Sequence, residues 1–196
     1  GPSSSHTVGP MRAGALFVQG LRERGELERV RRIEVRLYGS LSATGVGHGT
    51  DNATIMGLMG EWPDAIDPTQ IVPRIADLRE TNTLKLDGRL PVEFVWARDM
   101  LLLDENLPYH PNAMTLVAEG EQGELHRDTY YSVGGGFVVD AAQAASGVLD
   151  ADQTVLPYDF NSAAELLQLC KQNDLSVSQL MMANEKVWRS EEEIHA

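Results

Sequence analysis

In "RRIEVRLYG", Ile33, Val35 and Leu37 alternate with Arg32, Glu34 and Arg36, the period-two pattern of a strand with one buried face. Upstream, Met11, Gly14, Ala15, Val18 and Leu21 recur at helical spacing behind Pro10, whose missing N–H costs nothing in a first turn, so a helix is predicted over 10–24. "GSLSATGVGHGTD" is too rich in glycine for regular structure, and it feeds a short apolar helix, "NATIMGLMGE", that starts near Thr50 or Asp51. "DPTQIVPRIADLRE" reads as a third helix, interrupted or started at Pro73. The middle of the chain is strand-like: "TLKL", an Asp87-Gly88 turn, "VEFVWA", and the apolar stretch Met100 to Leu103. "AMTLVAEG" and "LHRDTYYSV" form another hairpin across Glu-Gln-Gly, and "GGGFVVD" closes the region. "AAQAASGVLDADQT" has few apolar anchors and reads as a low-order connector. Beyond it, Ser162 with Glu165 and Ser176 with Gln179 are capping-box patterns before "LLQLCKQND" and "LMMANEKVW". The elements predict an α+β domain with a mixed or largely antiparallel sheet and packed helices, followed by a short helical segment.

Composition narrows the function classes. Among 196 residues, 42% are hydrophobic, enough for a sizeable core, and 16 basic against 29 acidic residues leave a net charge of −13. Such a charge repels phosphate backbones and anionic lipid surfaces, so neither nucleic acid nor membrane is an expected partner. No run of about 18 apolar residues and no signal-like start is present, which makes the cytoplasm the default expectation. One cysteine, Cys170, cannot form an internal disulfide or by itself hold a zinc ion or an iron-sulfur cluster. Flanked by Leu166, Leu167 and Leu169, it reads as a packed, inert thiol.

Four segments carry candidate chemistry. Ser3, Ser4, Ser5, His6 and Thr7 precede the first helix, where hydroxyls either cap the helix or join its free N–H groups in receiving a carboxylate. "GVGHGTD" sets His48 among glycines beside Thr50 and Asp51; this is either an ordinary glycine loop or a proton-transfer pair of imidazole and carboxylate. Prolines on both sides stiffen the loop that carries His110, and Asn112 follows. Ser132 precedes Gly134, Gly135 and Gly136, which form either a simple bend or an anion-binding nest of N–H groups. No histidine stands at metal-ligating spacing, so no local metal site is expected, and His126 and His195 receive no role.

In their order along the chain, "GPSSSHTVGPMRAG", "YGSLSATGVGHGTD", "LPYHPNAMT" and "TYYSVGGGFVVD" resemble the N-terminal, or β, domain of bacterial iron-sulfur-dependent L-serine dehydratases, also called L-serine deaminases. The resemblance is dense over residues 1–140, leaves 141–160 as connector, and continues over 161–196, where the sequence resembles the first helices of the catalytic α domain. The family pattern contains Gly-Pro before its hydroxyl run, so Gly1 and Pro2 are read as native and the chain as part of a longer protein.

What the resemblance implies is β-elimination of water from L-serine, giving pyruvate and ammonia. In the family a four-iron four-sulfur cluster, ligated by α-domain cysteines absent here, helps hydroxide leave. His48 is the implied base or proton carrier, with His6 as the second choice. Ser3, Ser4, Ser5, Thr7, Thr50, Asp51, His110, Asn112, Ser132, Gly134, Gly135 and Gly136 are the implied substrate-binding residues. The implied partners are L-serine, the missing α domain and a second copy in a homo-oligomer, and the chain alone is expected to be inactive. The β domain is also similar in fold to the allosteric substrate-binding domain of some 3-phosphoglycerate dehydrogenases, so a regulatory or interaction module is the competing expectation.

Overall fold

In the computed structural model, residues 5–46, 49–146, 163–174, 176 and 179 are described. The chain divides into two compact units, Gly1–Val148 and Leu149–Ala196.

β1 (Arg32–Tyr38) is the centre of the first unit. It pairs antiparallel with β5 (Asn112–Gly120), so that Ile33, Val35 and Leu37 lie opposite Ala118, Leu116 and Met114, all six fully buried. They share one apolar core with Phe17, Val18 and Leu21 of α1 (Val8–Glu23), Ile55, Met56 and Leu58 of α3 (Thr50–Leu58), and Ile75 and Leu78 of α4 (Ile71–Thr81). Each such side chain contributes about 1.5–3 kcal/mol on burial, which is why the period-two and helical patterns were legible.

The sheet runs β2 (Thr83–Leu86), β3 (Leu90–Glu93), β1, β5, β6 (Gly123–Gly134), β7 (Phe137–Asp140), with β4 (Met100–Leu103) also on β1. β2 and β3 form the expected hairpin, with Asp87 and Gly88 both at positive φ, and β5 with β6 forms the second. β7 returns antiparallel along β6. Only β3 and β4 run parallel to β1, so the sheet is mixed and mostly antiparallel, the architecture expected.

Several local expectations need correction. "VEFVWA" is not one strand: β3 stops at Glu93, α5 (Trp96–Asp99) lifts the chain off the sheet, and β4 resumes the pairing with β1. The buried Asp99 carboxylate causes the break, accepting from Val95 N–H at 2.8 Å, Arg98 Nη2 at 2.8 Å and Arg32 Nε at 2.8 Å. The glycine-rich segment holds a short helix, α2 (Gly39–Ala43), because Leu41 is fully buried and Ser40 N–H finds the Pro111 carbonyl. α1 starts at Val8, two residues before the expected start, with Pro10 still inside its first turn. α4 begins at Ile71 after a 3-10 turn, so Pro73 lies in the first turn and interrupts nothing.

The connector also opens with structure: α6 (Ala141–Ala145) is capped by Asp140, whose side chain accepts from Gln143 N–H while Gln143 Oε1 accepts from Asp140 N–H. Residues 147–160, the rest of that connector, lie outside the described residues, as does Ser162.

In the second unit, α7 (Ala163–Asn173) carries Cys170, which is buried as expected, whereas Leu167 is 62% exposed. The Ser176–Gln179 capping box is formed in both directions.

Candidate active site

Thr7 stands immediately before α1, and its side chain makes no capping bond. Ser5 and Ser40 flank the His6 imidazole: Ser5 Oγ lies 2.9 Å from His6 Nδ1, and Ser40 Oγ, from the start of α2, lies 2.9 Å from His6 Nε2. Thr50, fully buried at the first position of α3, donates its hydroxyl to the His6 carbonyl at 2.6 Å and lies 2.9 Å from Thr44 Oγ1. The segment before α1 is therefore fastened to the starts of α2 and α3.

Two further segments join. Ser40 N–H donates to the Pro111 carbonyl at 3.0 Å, which brings the proline-flanked loop against α2. In that loop Asn112 N–H donates to His110 Nδ1 at 3.0 Å, and Asn112 Nδ2 donates to the Ser132 carbonyl at 3.2 Å. Ser132 itself is buried and its Oγ has no partner among the described residues. From Ser132 the chain enters the turn Gly134, Gly135 and Gly136, at φ 103°, 61° and 79°. A side chain would be strained at all three. Arg12 Nη1 of α1 holds the turn by donating to the Gly136 carbonyl at 2.8 Å.

The described candidates thus form one chain of contacts from Ser5, His6 and Thr50 through Pro111 and Asn112 to Ser132. The glycine turn is tied to α1 through Arg12. Ser3, Ser4 and His48 lie outside the described residues. The sequence reading missed Ser40, Thr44 and Arg12. Ser40 sits in the quoted "YGSLSATG", but its signal was only that of a polar residue in a loop.

Electrostatics single out one member. Burial pushes the Asp51 carboxyl above its ordinary range, against the opposing pull of the Asn52 N–H and the Arg79 charge. Asp51 is therefore a carboxylate sensitive to its surroundings at the start of α3. Thr50 and Asp51 are both buried, with hydroxyl and carboxylate engaged by His6 and Asn52, so they back the wall. Ser5, His6, Thr7, Ser40, His110 and Asn112 are half-buried and form its accessible rim.

No three His, Cys, Asp or Glu side chains gather as metal ligands among the described residues. With a single thiol in the whole sequence, the residues of this chain do not fit an iron-sulfur cluster, whose irons each need a ligand. No described helix is long and apolar enough to cross a membrane.

In class this is an α+β domain whose hydroxyl- and imidazole-bearing loops gather at the starts of α2 and α3. Its family is serine dehydratase beta chain: that family model matches residues 1–143, and the chain belongs to the family. The chain is 45% identical to an L-serine dehydratase of Streptomyces coelicolor over 99% of its own length and 43% of that protein. It is 46% identical to the L-serine dehydratase TdcG of Escherichia coli over 100% of its own length and 43% of that protein. L-serine dehydratase 1 of Escherichia coli is 45% identical over 99% of this chain and 42% of that protein. The chain therefore spans less than half the length of the relatives it matches.

Proposed function

We propose that this chain forms the β-domain wall of an L-serine dehydratase, an enzyme that eliminates water from L-serine and releases pyruvate and ammonia after the enamine product hydrolyses. The observation that carries it is the convergence of Ser5, His6, Ser40, Thr50, His110, Asn112 and Ser132, drawn from four separate segments, in a chain of the serine dehydratase beta-chain family. Residues 1–140 are the β domain, 141–160 a connector and 161–196 the start of the catalytic α domain. The ligands of a four-iron four-sulfur cluster would come from outside this chain, and such a cluster would supply the Lewis acid that a leaving hydroxide needs.

What this chain supplies is substrate binding and proton transfer. The Ser3, Ser4, Ser5 and Thr7 hydroxyls, with N–H groups at the start of α1, receive the serine carboxylate, since that helix end is the positive pole of its dipole. Removing a proton from Cα needs a positioned base, a role that falls to His48, with His6 as the alternative or as its relay. His110, Asn112, Ser132 and the Gly134–Gly136 turn line the same cleft. The whole enzyme acts as a homo-oligomer in the cytoplasm.

The test is pyruvate formation from L-serine by the full-length protein after anaerobic cluster loading, beside its His48→Ala and His6→Ala variants. Turnover in the wild type and a loss of about 10²–10⁴-fold in the variant lacking the base is expected. A cluster-loaded wild type that makes no pyruvate overturns the reading. The 196-residue chain alone is expected to make none.

A further inference from the structure

We propose that Ser40 is the positioning residue of His6, and that Ser40 and Ser5 together let the His6 ring change charge without losing a hydrogen bond; the catalytic meaning of this rests on the dehydratase reading above.

The geometry is specific. Ser40 Oγ and Ser5 Oγ each lie 2.9 Å from a His6 ring nitrogen, one at Nε2 and one at Nδ1. Ser40 comes from a different element, 34 positions along the chain, at the start of α2. Its backbone is fixed on both sides: the N–H donates to Pro111 O at 3.0 Å, and the carbonyl accepts from Thr44 Oγ1 at 3.2 Å. The hydroxyl is thus presented to Nε2 by a rigid turn.

The choice of partner has a chemical consequence. A carboxylate can only accept and so favours the imidazolium; a backbone carbonyl favours one N–H tautomer; a hydroxyl can donate or accept. With serine at both nitrogens, the imidazolium donates to two hydroxyl oxygens, and the neutral ring donates to one and accepts from the other. Neither charge state leaves a ring nitrogen without its serine, so the proton can arrive and depart while the ring keeps its orientation.

His110 is held differently. Its Nδ1 accepts from a backbone N–H, that of Asn112 at 3.0 Å, a bond that exists only while Nδ1 carries no proton. His110 is thereby committed at Nδ1, which leaves His6 as the described rim histidine equipped for a proton cycle.

The test reads the ring itself in the 196-residue chain, by the ¹⁵N resonances of the His6 imidazole, for wild type and three variants. Ser40→Ala removes the hydroxyl, Ser40→Cys keeps the volume with a weak hydrogen-bonding thiol, and Ser40→Thr keeps the hydroxyl. Displacement of the Nε2 resonance in the alanine and cysteine variants, and its recovery in the threonine variant, are expected. In the cluster-loaded full-length enzyme the alanine and cysteine variants should lose about 10- to 100-fold in kcat with KM nearly kept, because a ring that wanders loses proton transfer while substrate contacts remain. An unchanged Nε2 resonance in folded Ser40→Cys overturns the positioning role, and unchanged kcat with a displaced resonance overturns the proton-transfer role. The ring measurement does not depend on the substrate, so its failure counts against Ser40, whereas absence of pyruvate from the wild-type enzyme counts against the dehydratase reading.

Discussion

Gly14 of α1 and Gly57 of α3 meet backbone to backbone: a β-carbon on Gly14 would lie 2.7 Å from the Thr54 carbonyl oxygen and 3.0 Å from the Gly57 carbonyl carbon. One on Gly57 would collide with the Met11 carbonyl. Two helices whose starts carry the candidate site therefore touch at their glycines, and no side chain there can be accommodated by a rotamer change.

Gly57→Ala should destabilise the chain by about 3 kcal/mol, the upper end for overpacking, because the obstacle is main chain. That corresponds to a fall in Tm of about 6–12 °C. Gly20→Ala is the control. Its new β-carbon would meet only the movable end of the Arg24 side chain, at 2.9 Å. The better helix propensity of alanine should then leave that variant as stable as wild type or about 1 kcal/mol more so. Equal Tm values for the two variants would show that the helix contact is not tight.

That contact marks what the sequence could and could not announce. The alternation around Ile33, Val35 and Leu37 and the apolar stripe from Met11 to Leu21 specified a strand and a helix because burial acts on each segment's own period. Gly14 counted only as one position of that stripe and Gly57 only as one residue of a short apolar helix, since the crossing that gives them a purpose is not written in either segment. The same holds for the site. "SSSHT", "HPNAM" and "SVGGG" stood out by composition, and the structure ties His6 to the starts of α2 and α3 and Asn112 to Ser132. Ser40 did not stand out, since a serine becomes a histidine partner only when 34 residues of chain fold back. Asp99 was illegible for a related reason: its two arginine partners and the Val95 N–H decide that a strand breaks there.

Asp99 should be the carboxylate whose loss is felt most. It is fully buried, and although burial pushes its carboxyl up, the hydrogen bonds from Arg98 and Arg32 and from Val95 N–H hold it below the ordinary 3.8. A depressed pKa means that stability is present above the unfolded value of 3.8 and is lost as pH falls through the lower folded value. Asp99→Ala is expected to lose about 3 kcal/mol at pH 7, the low end for breaking a buried pair, since both arginines can turn toward solvent. Denaturant titrations at pH 7 and pH 2 test it: the gap between wild type and variant should narrow at the acid end.

Asp51 should behave in the opposite sense. Burial raises its carboxyl above 3.8, so its contribution is fully present in the protonated form, below 3.8, and is lost as pH rises through the folded value. Asp51→Asn keeps an oxygen to accept from Asn52 N–H and removes the charge. The variant should therefore be more stable than wild type at pH 7, with the difference vanishing as pH falls toward 3.8. Paired melting curves at pH 7 and pH 4 check it, and a variant less stable than wild type at pH 7 would contradict a buried, destabilising charge. In the cluster-loaded enzyme the same substitution separates stability from activity: a gain in Tm with a loss of turnover would mean the wall keeps a strained carboxylate for function.

The glycine turn should depend on Arg12. Three successive residues at positive φ have little reason to remain so in isolation, and the hydrogen bond from Arg12 Nη1 to Gly136 O at 2.8 Å ties them to the first turns of α1. Gly136 also approaches α1 closely, since a β-carbon there would stand 2.8 Å from Val8 Cγ1. Arg12→Ala removes the clamp and leaves the steric fit. Amide exchange at Gly135, Gly136 and Phe137 should then accelerate by about tenfold, the equivalent of one hydrogen bond of roughly 1.4 kcal/mol, while exchange in the β5–β6 ladder stays unchanged. Gly136→Ala adds a left-handed penalty of about 1–2 kcal/mol to the collision with Val8, so it should push the turn from α1 even with Arg12 present. If neither variant alters exchange at the turn, then the turn is held by its strand pairing alone, and Arg12 has no part in shaping the rim.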